Sequence, residues 1–382
     1  MPLRIAVTAE PIPSHLSALD YVVGPARDQG HRVTLHAPPM FRAEARRRGI
    51  AHRPTGTDWT CAPGVQETAS EIWRRHGNGP FNRHVFGRLW PDHAEAKTRA
   101  LLTAWRRDRP DLVIAECSDP GAHLAARILR LPLLAADNGL GPLLQELWDT
   151  DIAPALNPLH KQYGQATPTL PPMLTPAPVR WFHPTPPPAA RPVRRTVAAH
   201  RTVLPARLDR APTGRPLVYA SLGTLTTAMP GLRTTVEALY REIIAALTTV
   251  DCDAIVSAGA LAGDLTADDP RITVVPHVPQ PALLHRADLF VTHGGRASLL
   301  DAVQGGAPVL GLGILADQPA NTAAFARLGL GRSLPPTAAR TEIADAVTAL
   351  LGDLGHLRAM AAARTELAAL PPLDLTDLPD PG

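Results

Sequence analysis

The feature that most constrains this chain is a recurrence: short apolar runs alternate with segments of helical spacing, once before a proline-rich stretch and once after it. "LRIAVT" (3–8), "RVTLHAP" (32–38), "DLVIAE" (111–116) and "LPLLAAD" (131–137) read as strands in the first half. "LVYAS" (217–221), "DAIVSAG" (253–259), "ITVVP" (272–276), "DLFVT" (288–292) and "PVLGL" (308–312) do so in the second. Strands this uniformly apolar have to be covered on both faces, as in a parallel sheet with helices on either side. Helical spacing fills the intervals: His15 to Gln29, stopped by Gly30; "PGAHLAARILR" (120–130); "LRTTVEALYREIIAALTTV" (232–250); a segment from about Ala297; "PANTAAFARLG" (319–329); and a final set from Thr341.

Between about residues 166 and 216 the alternation gives way to "PTLPPMLTPAPVRW", "HPTPPPAARPVRR" and "LPARLDRAPTGRP". So much proline predicts neither helix nor central strand, and marks the last excursion of the first domain plus a linker. The expected organisation is an N-terminal domain over 1–200, a C-terminal domain over 213–370, and a loosely ordered tail over 371–382. The fold class is α/β: two Rossmann-like domains facing each other across a cleft, with ligands beyond the carboxyl ends of the strands.

The length of 382 residues suits two domains with substantial cores. A net charge of +3 argues against nucleic acid as a partner. Cys61, Cys117 and Cys252 stand far apart without metal-ligand spacing, so they read as buried small hydrophobes rather than a disulfide framework or a zinc site. The N-terminus "MPLRIAVTAEP" lacks a signal peptide's long apolar region, and the longest later apolar run, Ala307 to Ala316, is half of the roughly twenty residues a membrane span needs. A soluble cytoplasmic protein is expected.

Chemistry gathers at the strand ends. "FVTHGGRASLLDA" runs from a strand through His293-Gly294-Gly295 into a helix pattern. Glycines let main-chain N–H groups approach a ligand, the helix aims its unpaired N–H groups and positive dipole end at the same point, and Ser298 adds a hydroxyl. His293 can add an N–H donor or a positive charge, completing a cradle suited to a diphosphate. A second small, hydroxyl-bearing turn is Ser221-Leu222-Gly223-Thr224, and a third strand end presents Asp317 and Gln318, a pair able to read sugar hydroxyls.

The run from Ile272 to Gly331 resembles the nucleotide-sugar signature of family 1 glycosyltransferases, closest to the bacterial enzymes that decorate natural products. It carries the "PQ..LL", "THGG..S...A...G.P" and "DQ..N" elements in order. "YASLGT", "RDQGHRVTLHAP" and "RPDLVIAE" are similar to further family segments. The resemblance implies a GT-B fold, a sugar donor activated as a nucleoside diphosphate, and an acceptor held mainly by the N-terminal half. By position, His293, Gly295, Ala297 and Ser298 would hold the diphosphate, and Thr224 the distal phosphate or the acceptor edge of the donor. His277, Val278 and Gln280 would flank the base and ribose, Asp301 would face the ribose, and Asp317 with Gln318 would hold the transferred sugar. Plant relatives have Trp in place of His277 and Glu in place of Asp301, which leaves a dTDP-deoxysugar beside a UDP-sugar as the expected donor.

The same resemblance places the catalytic base at His15 in "PIPSHLSAL", with Ser14 where the family usually has glycine. A neutral imidazole can take a proton from a hydroxyl when a carboxylate fixes its tautomer. That carboxylate is expected to be Glu116, with Asp119 in reserve. Inverting, metal-independent transfer follows as the expectation, with no cofactor beyond the co-substrate. "DTD" at Asp149–Asp151 and "DCD" at Asp251–Asp253 are read as solvated carboxylates, outside the strand context of a metal-binding DxD. The segment Thr68–Trp90, rich in aromatics, His and Arg, reads as the lining of an acceptor pocket or as an amphipathic helix pair. Expected partners are the sugar donor and a small hydrophobic acceptor, with no transmembrane segment; a homodimer is allowed. Two other readings stay open: a nucleotide-sugar epimerase of the same fold, and a non-catalytic partner or activator protein of that fold.

Overall fold

The computed structural model describes residues 1–183, 185–187, 189–195, 204, 208 and 214–376. The chain divides into two compact units, Met1–Thr196 with Leu370–Gly382, and Val197–Ala369. Within the first, β1 (Arg4–Thr8), β2 (Arg32–Ala37), β3 (Ala51–Pro54), β4 (Leu112–Glu116), β5 (Leu133–Ala136), β6 (Met173–Thr175) and β7 (Arg191–Pro192) form one sheet in the order β3-β2-β1-β4-β5-β6-β7. Within the second, β8 (Leu217–Ser221), β9 (Asp253–Ser257), β10 (Ile272–Val275), β11 (Leu289–Thr292), β12 (Val309–Leu312) and β13 (Gly331–Leu334) are ordered β10-β9-β8-β11-β12-β13. The pairings in both sheets are parallel, as uniformly apolar strands require.

Register fixes what each sheet can present. β1 pairs with β4 so that Thr8 lies beside Ala115, and β8 pairs with β11 so that Ser221 lies beside Thr292. Parallel neighbours in register release their chains at the same edge, which brings the segments after β1 and β4 together, and likewise those after β8 and β11.

Four features differ from the sequence reading. The helical segment after β1 is two helices, Pro13–Ala18 and Asp20–Asp28, meeting at Leu19. The proline-rich stretch contributes β6, which lies between β5 and β7 rather than outside the sheet. Proline lacks a donor but keeps its carbonyl, and Pro172 O accepts from Ala135 N at 2.8 Å, while Leu174 O accepts from Asp137 N at 2.8 Å. The rest of the expected linker, between 196 and 213, lies almost wholly outside the described residues.

The C-terminal segment is not loose as far as Thr376. Leu373 and Leu375 are buried in the same core as Ile5, Leu35 and Ile114. Gln29 donates to Leu373 O at 2.8 Å and Arg194 N to Pro371 O at 2.7 Å, so two leucines outweigh the polar, proline-rich composition around them. Finally, Cys61 is exposed, whereas Cys117 and Cys252 are buried as expected. Among the described residues no helix is long and apolar enough to cross a membrane.

Replacing Leu373 by Ala should therefore destabilise the first unit by about 2–5 kcal/mol, the range for a buried leucine truncation. Urea unfolding followed by tryptophan fluorescence checks this, and a wild-type midpoint would show the segment to be dispensable.

Candidate active site

In the first unit, the chain leaving β1 enters the short helix Pro13–Ala18, whose Pro13 suits a first-turn position, and His15 follows two residues later. Glu116 is the last residue of β4. Both side chains are buried, and His15 Nδ1 lies 3.1 Å from each carboxylate oxygen of Glu116. Ser118 donates to Glu116 Oε1 at 2.8 Å, and Asn138, following β5, donates to Ser118 Oγ at 3.0 Å. With Nδ1–H given to the carboxylate, Nε2 keeps its lone pair, which is the tautomer a general base needs.

Aromatic side chains enclose the imidazole. Trp90 stands edge-on to His15, with ring centroids 6.2 Å apart, and Phe86 packs edge-on to Trp90 at 4.7 Å. Phe86, Trp90, Cys117, Ser118, Leu144 and Trp148 wall a small cavity beside Glu116. The segment Thr68–Trp90 forms the helices Val65–His76 and Asn78–His84, and Phe86 and Trp90 at its end line this cavity.

Asp119 does not reach His15. Its Oδ1 caps the helix Pro120–Ile128 by accepting from Ala122 N at 2.9 Å, and its Oδ2 lies 2.6 Å from Lys97 Nζ. Its place is fixed by the helix start, one turn past the strand end, so Glu116 is the partner.

In the second unit, β11 ends at Thr292 and the helix Arg296–Gly305 begins after His293-Gly294-Gly295. Leu299 N is bonded to Gly295 O at 3.1 Å, and the N–H groups of Arg296, Ala297 and Ser298 precede that first helical bond. The turn is sterically exacting. Gly294 has φ of +86°, and a Cβ there would come 2.3 Å from Thr322 Cγ2. A Cβ on Gly223 or Gly295 would come 2.5 or 2.7 Å from His293 Nε2, so the imidazole is seated directly between two stretches of backbone. Burial pushes the His293 pKa down to about 4, with a hydrogen bond to the Ser221 backbone opposing the shift. The imidazole is therefore neutral at neutral pH, which removes the positive charge that the sequence also allowed His293.

Around this turn, Gln280 donates to Asp301 Oδ2 at 2.9 Å and to Ser298 Oγ at 3.2 Å, drawing three of the expected donor residues into one cluster. Asp317 accepts from Asn321 at 2.6 Å, and the same Asn321 amide donates to Gly294 O at 3.1 Å, tying the β12 exit to the glycine turn. Gln318 turns inward: its carbonyl accepts from Ile314 N and Leu315 N at 3.2 and 3.1 Å, so that oxygen is spent on holding the loop. Val278 is buried and can offer a ligand only its backbone, while His277 and Thr224 are exposed. Asp149–Asp151 follow the helix Gly141–Leu147, and Asp253 opens β9 beside Arg215.

Sequence reasoning missed Glu10, Lys97, Ser118, Asn138 and Asn321. Asn321 stands inside the "DQ..N" element and could have been read from it, and Lys97 falls at helical spacing on the apolar face of Trp90, Ala94, Leu101 and Trp105, which could have marked it as buried.

Comparison with known proteins fits this geometry. Residues 241–375 match the family described as the erythromycin biosynthesis protein CIII-like, C-terminal domain. A zeaxanthin glucosyltransferase of Pseudescherichia vulneris is 34% identical over 171 residues, covering 45% of this chain but only 41% of that enzyme. The zeaxanthin glucosyltransferase of Pantoea ananas is 24% identical over 95% of this chain and 92% of its own. Among solved structures, the spinosyn rhamnosyltransferase SpnG has a TM-score of 0.81 at 20% identity, with 97% of each chain covered. It has also been solved with thymidine diphosphate and with spinosyn aglycone, each at a TM-score of 0.78 and 19% identity over 97% of both chains.

The low His293 pKa has a testable sign. Between pH 4 and about 6.5 the unfolded chain binds the proton that folded His293 refuses, so its contribution to stability is present above 6.5 and is lost as the pH falls towards 4. His36, pushed down to about 4 by burial in the first unit, adds a slope of the same sign. His293→Gln should flatten the pH dependence of unfolding in that window, measured by urea titration at pH 7 and pH 4.5, while leaving the His36 share.

Proposed function

We propose that the chain is a family 1 glycosyltransferase of GT-B fold and natural-product type, and that it moves a sugar from a nucleoside-diphosphate donor onto a small hydrophobic acceptor, with inversion and without a metal ion. The observation that carries this reading is the His15–Glu116 pair, buried beside an aromatic-walled cavity. The donor is a dTDP-deoxysugar or a UDP-sugar. Thymidine diphosphate and an aglycone bound to SpnG support the pairing of such a donor with an apolar acceptor.

The chemistry is a single in-line displacement. An acceptor hydroxyl lies against His15 Nε2, and the imidazole takes its proton as the oxygen forms a bond to the anomeric carbon. Glu116 stabilises the imidazolium that results, as a buried carboxylate does for a cation 3.1 Å away. The bond from the anomeric carbon to the diphosphate breaks on the opposite face, so the configuration inverts. Charge developing on the departing diphosphate is met by the N–H groups at the start of the helix Arg296–Gly305 and by neutral His293, groups already oriented before the reaction starts. Gln280, Ser298 and Asp301 are grouped to receive the ribose, and the carboxylate of Asp317 to receive a sugar hydroxyl.

A transfer assay that follows nucleoside-diphosphate release, with dTDP- and UDP-sugars and a panel of apolar hydroxylated acceptors, tests the proposal. His15→Ala should lower kcat by about 10²- to 10⁴-fold, the span assigned to general base catalysis, with the Kd for dTDP or UDP unchanged. Binding of either nucleotide without turnover in the wild type would favour the activator reading instead. Turnover should survive excess chelator, and its complete loss there would refute the metal-independent mechanism.

A further inference from the structure

Beneath the His15–Glu116 pair lies a buried ionic cluster that neither the transfer chemistry nor the family resemblance uses. The helix Trp90–Arg107 presents Trp90 to His15 and, two turns on, points Lys97 into the protein, where the residue is 3% exposed. Lys97 Nζ donates to Ala9 O and to Glu10 Oε1, each at 2.8 Å, and forms an ion pair with Asp119 Oδ2 at 2.6 Å. Two of those oxygens belong to the chain leaving β1, five and six residues before His15. The third belongs to the chain leaving β4, three residues after Glu116. Trp59 donates to the other Glu10 oxygen at 2.9 Å. The stem of Lys97 is equally confined: a Cβ on Gly121 would come 2.9 Å from Lys97 Cβ, and one on Gly56 3.5 Å from its Cγ and Cδ.

We propose that Lys97 is a positioning residue for sugar transfer: by bonding at once to the chain leaving β1 and to the chain leaving β4, its ammonium group holds His15 and Glu116 in register. The role assigned to Lys97 rests on the transfer reading above. Burial without partners would strip a lysine of its proton; here Asp119, Glu10 and Glu116 outweigh that and hold its pKa above the ordinary value. Glu10 is pushed up to about 7, by burial first, with Lys97 opposing and Asp119 and Glu116 adding to the shift. Other titratable groups that feel the Lys97 charge include His36 on β2 and His123 on the helix after β4, both held below the ordinary histidine range by burial.

Two variants test the assignment. Lys97→Met removes the charge at similar length. Lys97→Met/Asp119→Asn also removes one of the two carboxylates it would orphan, Glu10 being the other, while an asparagine oxygen can still accept from Ala122 N. An NMR spectrum of the labelled His15 imidazole needs no substrate. In Lys97→Met the His15 Nδ1–H resonance should move upfield or exchange away with solvent, because the hydrogen bond to Glu116 is no longer held in place. In the transfer assay kcat should fall by about ten- to a hundredfold in both variants, the effect of a misplaced catalytic group, with the dTDP Kd within about twofold of wild type. The double variant should recover folding stability without recovering kcat. A wild-type His15 Nδ1–H resonance in Lys97→Met, or a kcat that returns together with stability in the double variant, overturns the proposal. A wild-type chain that transfers no sugar would instead refute the function reading, and the His15 Nδ1–H resonance would still decide the case for Lys97.

Discussion

Two parallel strands side by side at the middle of a sheet stop at the same edge, and both candidate sites depend on that constraint. β1 and β4 pair in register, so their exits deliver an imidazole and a carboxylate 101 residues apart in sequence to within 3.1 Å of each other. β8 and β11 repeat the arrangement, and their exits deliver Gly223 and His293 into van der Waals contact. A slip of one residue would turn each strand over, sending Glu116 or Thr292 to the opposite face. Apolar side chains packed on both faces oppose such a slip, so the cores hold the chemistry in place as well as the fold.

The two sheet edges treat charge in opposite ways. Beyond β1 and β4, burial gathers Glu10, Glu116, Asp119, Lys97 and His15, and the anions are tolerable only because a lysine with three oxygen partners stands among them. Beyond β8 and β11, the half-buried imidazole is kept neutral, and beside it stands a set of backbone N–H groups at a helix start. The first arrangement suits moving a proton, because charge can shift among groups already balanced. The second suits receiving a dianionic leaving group, because fixed dipoles need no counter-ion of their own and are not neutralised by one when empty.

What was legible in the sequence follows the same division. Strand cores, the glycine turn and the ordering of the donor elements depend on local pattern, so runs such as "DLFVTHGG" declare themselves. The partnership of His15 with Glu116 was reached through resemblance to a family, since nothing in the spacing of the two residues joins them. β6 was hidden because proline content speaks of missing donors and says nothing of carbonyls, which are what β6 uses. The C-terminal segment was hidden because two leucines among prolines and aspartates weigh little in composition and much in a core. Lys97 was hidden for a different reason: it shares the buried helix face of Trp90, Ala94, Leu101 and Trp105, but a single lysine within an apolar stripe does not say which anions await it, and only the meeting of the β1 and β4 exits supplies them.

That last point bears on how the first unit accommodates a glutamate at the end of β4. A glutamate at this position carries one more methylene than an aspartate would, and its oxygens need lateral support to lie symmetrically against one nitrogen. Ser118 supplies it from one side, and Asn138 in turn fixes Ser118. Asp119, which could have competed for the imidazole, is drawn away by its helix cap and by Lys97. The pairing of His15 with Glu116 is thus a consequence of where every neighbouring polar group finds its own partner, and the ion pair beneath it keeps the alternative carboxylate occupied.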